Sequence, residues 1–167
     1  MGASTSEFMI QPATEADIST LLGLIRGLAE HVELSNHVEV TEERLQETLF
    51  GEHAHAEVLL ATEGVSAIGF AVFFSTYSTF LGRPGIYLED LFVLPQWRSK
   101  GVGTSLLASV ANVALERGCA RLEWSTLDWN QPAVGFYENL GAVQQSESTV
   151  FRLSGDSLQR LGSRASP

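Results

Sequence analysis

An α/β protein is what this sequence predicts, and three stretches predict it. Ile18, Leu21, Leu22, Ile25, Leu28 and Ala29 recur at i, i+3, i+4, i+7, i+10 and i+11, which is one apolar face of a helix. Residues 57–62 and 66–76 are two apolar, strand-like runs joined by the tight turn Glu63-Gly64-Val65-Ser66. Ile86 to Val93 is a third apolar run, and it leads through a basic turn containing Gly101 and Gly103 into an amphipathic helix.

Length and composition bound the rest. A chain of 167 residues, 44% apolar and 9% aromatic, is long enough for one domain with a substantial core. The organisation expected is a disordered start at 1–7, a single domain over 8–154 and a loose tail over 155–167. Met1 to Ser6 formally matches a myristoylation signal, but a disordered start is the reading preferred over lipidation. No apolar run approaches the roughly 18 residues of a membrane helix, so no membrane partner is expected. Twenty acidic against ten basic residues, net −10, argue against nucleic acid and suit a cationic small molecule. The one cysteine, Cys119, excludes an intrachain disulfide and fits a reducing, cytoplasmic setting. Beside Gly118 and an apolar run, it reads as a small buried hydrophobe rather than a nucleophile.

Taken in order, Phe8 to Pro12 is a short strand ending at proline. Thr14 with Asp17 suits a capping box at the head of the first helix. Gly23 and Gly27 weaken that helix by roughly 1 kcal/mol each relative to alanine and suggest close packing. Thr41-Glu42-Glu43 opens a second short helix to about Leu49, with its acids in the first turn. His53 and His55 could hint at a metal, but no third ligand has supporting spacing, and they read as solvated loop residues. Tyr77 to Pro84 is expected as a loop. The helix after the basic turn should run to Arg117, with Leu106, Val110 and Val113 inward and Gly118 as its stop. A strand follows over 121–127. Asn130 then caps a short helix with Pro132 in its first turn and Gly141 after its end. Val143-Gln144 and 149–153 read as closing strands.

The basic turn is where chemistry is expected. Glycines can take positive φ and let a ligand approach the backbone, and the helix start offers unpaired N–H groups to an anion. Arg98 and Lys100 add charge. Neither a triphosphate loop nor a dinucleotide fingerprint fits the spacing, so Arg98-x-x-Gly101-x-Gly103 is a phosphate-binding turn of another kind. In the strand before it, strict alternation puts Tyr87, Glu89, Leu91 and Val93 on one face and Ile86, Leu88, Asp90 and Phe92 on the other. Each apolar face then carries one acid, which is costly to bury unless it is paired or functional.

Those residues resemble a known superfamily. Arg98-x-x-Gly101-x-Gly103 is similar to the pyrophosphate-binding motif of the acetyl-CoA-dependent GNAT N-acetyltransferases. Asn130-x-x-Ala133-x-x-Phe136-Tyr137-x-x-x-Gly141-Ala142 resembles their second motif, and Ile10 to Thr14 their first strand and turn. Phe50-Gly51-Glu52-His53, Tyr87-Leu88-Glu89-Asp90 and Trp129-Asn130-Gln131-Pro132 are similar to the spermidine/spermine (diamine) acetyltransferase branch. Leu34-Ser35-Asn36, Tyr77-Ser78-Thr79-Phe80 and Leu127 to Gln131 look closer to its thialysine-acetylating members. The resemblance covers about residues 8–154.

It implies a central mixed, mostly antiparallel sheet flanked by helices, a homodimer, and direct acetyl transfer from acetyl-CoA to a primary amine, without a metal. By the same resemblance Leu91, Phe92 and Val93 lie where strand backbone pairs with the pantetheine arm. Arg98, Ser99, Lys100, Gly101, Val102, Gly103 and Thr104 fall where the pyrophosphate is held. Asn130 and Tyr137 contact the cofactor, with Tyr137 as general acid and Glu89 as base through water. Glu33, Tyr77, Phe80, Glu89 and Asp90 face the amine. Ser99 departs from the usual glycine, which is tolerable unless the position needs positive φ. Val32 and Ser78 stand where the polyamine enzymes carry acids, so a small amine or lysine-like amino acid is favoured over spermine. The alternatives are a protein or peptide amine acetyltransferase and a non-catalytic CoA-binding regulator.

Overall fold

The computed structural model describes residues 7–147 and 149–165, so the expectations for Met1 to Ser6 lie outside it. The chain forms two compact units, Met1–Ser125 and Thr126–Pro167.

The first unit is built on a five-stranded sheet in the order β1-β2-β3-β4-β5. Its strands are β1 (Met9–Pro12), β2 (Glu57–Glu63), β3 (Ser66–Ser78), β4 (Arg83–Val93) and β5 (Leu122–Trp124). The first four pair antiparallel and β5 joins β4 in parallel, the mixed, mostly antiparallel sheet that was expected. The hairpin loop between β3 and β4 is shorter than expected, because Tyr77 and Ser78 still pair, with Pro84 and Arg83.

Helix α1 (Ile18–His31) follows a 3-10 turn in which the Thr14 backbone N–H and hydroxyl both donate to the Asp17 carboxylate at 2.8 Å. Its Leu21 and Leu24 pack with Val58, Leu60, Phe70, Val72 and Phe92 on one face of the sheet. Of the two glycines expected to mark close packing only Gly27 does: a Cβ there would stand 3.3 Å from the Phe92 ring, whereas one at Gly23 would meet open space. Helix α2 (Glu42–Leu45) is capped by the Thr41 hydroxyl, which accepts from the Arg44 N–H, and it passes into a π-helical turn over Gln46–Phe50.

Helix α3 (Val102–Glu116) packs on β3 and β4, burying Val102, Leu106, Leu107, Val110 and Ala114. Gly118, at φ 66°, ends the turn that leads to β5. Arg117 reaches back from that corner to β2, donating to both Glu57 oxygens at 2.6 and 2.7 Å. That pairing holds the Glu57 carboxyl below its ordinary range and the guanidinium above its own.

The second unit contains helices α4 (Gln131–Asn139) and α5 (Gly155–Gly162). Two expectations are corrected here. The described residues of 142–154 form no strand, although they carry suitable side chains, because none pairs with a neighbouring strand. The supposed loose tail instead folds into α5, started by Ser154 in extended conformation and Asp156 in the first turn. No described helix is long and apolar enough to cross a membrane.

Candidate active site

Strand β4 departs from strict alternation at one residue. Asp90 stands opposite Val72 and Leu88 opposite Phe73, so Glu89 is an extra residue with no counterpart on β3. A bulge of this kind shifts everything beyond it by one position. The faces expected from period two are therefore wrong. Ile86, Leu88, Leu91 and Val93 share one face, with Phe73, Ala71 and Gly69 opposite the last three. Tyr87, Asp90 and Phe92 share the other, the face covered by α1.

The bulge also marks where the sheet opens. β5 pairs with Ile86, Tyr87 and Leu88 and stops there. Beyond Leu88, no described strand pairs with β4 on that side, which leaves the backbone of 89–93 as an edge that an extended ligand can join.

Glu89 is exposed at this point. Asp90 is half-buried between Tyr87 and Phe92 along its strand, and its carboxylate has no hydrogen bond or ion pair among the described residues. Burial, and secondarily the neighbouring Glu89 charge, push its pKa up to about 6. Tyr87 is held separately, its hydroxyl 3.0 Å from the Ser125 hydroxyl and its ring 5.4 Å from that of Phe74.

From Val93 the chain enters the basic turn. Arg98 does not point its charge into the turn, as the sequence suggested. Its Nε donates to the Val93 carbonyl at 3.0 Å, and its guanidinium carbon lies 5.7 Å from the Phe92 ring centre. Burial, then the Arg98 charge, lower the pKa of His31 at the end of α1. Lys100 places its Nζ 4.6 Å over the Trp97 ring. Ser99 adopts φ 60° and Gly101 φ 85°, so the position where serine replaces the usual glycine does require the left-handed region. α3 then begins without a side-chain cap. The first N–H groups of a helix have no partner within it, and here they follow a left-handed turn, an arrangement that fits a pyrophosphate.

Tyr77 and Phe80 are not brought to this site within the first unit. Tyr77 pairs with Pro84, five residues before Glu89 or roughly 17 Å along the strand, and both rings are exposed. Ser78 is buried, its hydroxyl accepting the Leu81 N–H at 3.3 Å, so it closes the hairpin. Glu33 is exposed at φ 60° in the turn after α1. In the second unit, the Asn130 side chain accepts the Ala133 N–H at 3.4 Å and caps α4. Tyr137, its ring 5.2 Å from that of Phe136, has its phenol pushed up by burial.

Sequence reasoning placed a ligand along the backbone of 91–93 but missed the bulge at Glu89 that flanks this edge. One signal was available: Gly69, within a strand-like run, is a common mark of close backbone approach. A Cβ there would stand 2.7 Å from the Phe92 carbonyl oxygen.

The sheet and turn define an acyl-transfer fold, and the acetyltransferase (GNAT) family profile matches residues 25–142. The chain belongs to that family and is an acetyltransferase. It is 37% identical over 166 residues to the mouse thialysine N-epsilon-acetyltransferase, covering 93% of this chain and 97% of that one. It is 43% identical to the Arabidopsis thaliana L-ornithine N5-acetyltransferase over 97 residues, 58% of this chain and 42% of that one. Among solved structures, the integron cassette protein VCH_CASS6 from the mobile metagenome of V. cholerae superposes with a TM-score of 0.79 at 27% identity, covering 96% of this chain and 99% of that one.

Proposed function

We propose that this acetyltransferase moves acetyl from acetyl-CoA directly to a primary amine of a small molecule, of the class that includes thialysine, ornithine-like amino acids and diamines. The observation that carries the reading is Asp90: a half-buried carboxylate without a partner, beside Glu89, where the open edge of β4 begins. Similarity to proteins named for thialysine and ornithine acetylation supports the substrate class.

On the donor side, the edge at Leu91, Phe92 and Val93 would pair with the pantetheine arm. The backbone from Ser99 to Thr104 would hold the pyrophosphate, with Lys100 adding charge. Asn130 would contact the arm. Acetyl-CoA supplies an activated thioester carbonyl. The chain's own residues then handle protons and charge.

An alkyl amine with pKa about 10.4 is neutral in only about one molecule in 2,500 at pH 7, and reaching that form costs about 4.6 kcal/mol. Asp90 and Glu89 attract the ammonium form, and Glu89 takes the released proton through water. The Tyr137 phenol, kept protonated by burial, is the donor that meets the leaving thiolate sulfur. With no activated cysteine or serine in this scheme, the amine attacks the donor directly in a ternary complex. Resemblance adds a two-copy assembly, and the lone cysteine a reducing, cytoplasmic setting.

The test is acetyl-CoA-dependent thiol release with thialysine, lysine, ornithine, short diamines, spermidine and a basic peptide. Turnover on a small amine, lost in Glu89→Gln, is the expected result. Release with the peptide alone would replace this reading by protein acetylation. CoA binding without any transfer would replace it by a regulatory role.

A further inference from the structure

The functional reading gives this protein an activated acetyl group and a preference for lysine-like amines. Of its own ten basic residues, nine are arginines, whose guanidinium stays protonated and does not take acetyl at neutral pH. The only lysine in the sequence is Lys100.

Its place is specific. Lys100 lies between Ser99 at φ 60° and Gly101 at φ 85°, in the left-handed turn before the uncapped start of α3. The other cation of that turn, Arg98, is committed to the Val93 carbonyl through its Nε–H and to the Phe92 ring through its face. Lys100 has no such tie. Within the first unit it is exposed, and its Nζ lies 4.6 Å over the Trp97 ring with no hydrogen bond or ion pair among the described residues. It is therefore the cation left to meet a pyrophosphate, and also the only side chain here with the chemistry of the acceptors.

A donor bound as described above presents its pyrophosphate to this turn and its thioester to the strand edge beginning at Glu89. An occupied turn is thus covered, and its own thioester lies elsewhere. Acetyl reaches Lys100 only from another acetyl-CoA, free or held by another copy, while the turn is empty.

We propose that Lys100 is a self-acetylation site whose acetylated form weakens the donor turn. The neutral Nζ attacks the thioester carbonyl of that second acetyl-CoA. The N–C bond forms as the C–S bond breaks, Nζ gives up a proton to solvent, and CoA leaves as a thiolate that takes one up. The product is a neutral amide, which loses the charge offered to the pyrophosphate and the hold on the Trp97 ring together. Chains with an empty turn are the ones modified, and they then bind the next donor less well. The inference rests on the donor site of the functional reading and is independent of which amine is acetylated.

In the experiment the full chain is incubated with acetyl-CoA and no amine, then digested for mass mapping. One acetyl group on the peptide carrying Lys100 is expected. Labelling by a small acetyl thioester that lacks the nucleotide should slow about tenfold when CoA is present at about ten times its Kd. Mixing 15N-labelled wild type with unlabelled Glu89→Gln protein separates the two sources. Acetyl on the Glu89→Gln chain only in the mixture means that another copy delivers it, acetyl without the wild type means that free acetyl-CoA does, and either supports the site. By calorimetry the acetylated chain and Lys100→Gln should bind CoA about tenfold more weakly, and Lys100→Arg within about twofold of wild type. A wild type that binds CoA yet stays unacetylated at Lys100, or an acetylated chain that binds CoA as tightly as before, would overturn the inference and leave acetyl transfer standing. A wild type that binds no CoA would overturn the donor site itself.

Discussion

Arg98 donates its Nε–H to the carbonyl of Val93, five residues earlier, and so ties the end of β4 to the turn that opens α3. The guanidinium beside the Phe92 ring adds a second hold on the same side chain. An arginine expected to attract an anion is thereby a clasp between the strand end and the turn.

Removing that clasp should loosen the turn. A charged hydrogen bond contributes about 1.5–3 kcal/mol and an exposed cation–ring contact about 0.5–1 kcal/mol. Arg98→Ala is expected to cost about 2 kcal/mol in denaturant titration and to weaken CoA binding by calorimetry. Arg98→Lys should recover less than half of either loss, because an ammonium has no Nε–H in that place. Full rescue by lysine would show that charge alone is what matters.

Asp90 gives the protein a pH dependence of definite sign. Its folded-state pKa, about 6, lies above the ordinary 3.8, so the folded chain holds a proton that the unfolded chain has released. Stability from this group is full below the unfolded value and is lost as pH rises through about 6. Asp90→Asn should therefore stabilise the protein by roughly 2–3 kcal/mol at pH 8, and the gain should vanish near pH 4. The same substitution should raise KM for the amine, whereas wild-type KM falls as Asp90 ionises. Thermal melts and initial rates across pH 4–9 measure both.

Ser99 holds a left-handed conformation that glycine adopts at little cost. The penalty for a non-glycine residue there is about 1–2 kcal/mol. Ser99→Gly is expected to stabilise the chain by about 1 kcal/mol, less what glycine's extra freedom in the unfolded state removes. CoA affinity should be kept, since the turn's backbone is unchanged. Destabilisation would mean that the serine side chain has a role at this position that offsets its strain.

Tyr137→Phe keeps the ring and removes the proton. If the phenol is the donor to the leaving sulfur, kcat should fall by about 10²–10⁴ with little change in KM for either substrate. A matched loss of thermal stability would instead mark the hydroxyl as a structural contact.

Much of this was legible in the sequence, and what escaped it has physical causes. The faces of α1 and α3 follow from apolar spacing because a helix repeats without exception over four turns. The turn at Arg98 was legible because glycine and basic residues together have few other uses before a helix. The faces of β4 were misread because period two assumes no inserted residue, and nothing in Glu89 itself announces a bulge. The direction of Arg98 escaped for a related reason: a long side chain can turn to either side, and Phe92 with the Val93 carbonyl decides. At 149–153 the side chains suit a strand, but strand formation needs a partner, which local sequence does not specify.

The bulge makes β4 behave like a message read in a frame. Exchanging one side chain in it changes one contact, whereas pairing Glu89 regularly against β3, instead of bulging it out, would reset every residue downstream. Asp90 and Phe92 would then be delivered to the α3 side, and Leu91 and Val93 to the α1 side. A chain of identical composition whose β4 ran without the bulge would bury its carboxylate in the wrong layer. Here the way Glu89 is left out of the pairing with β3, as much as the identity of its neighbours, decides which layer receives Asp90.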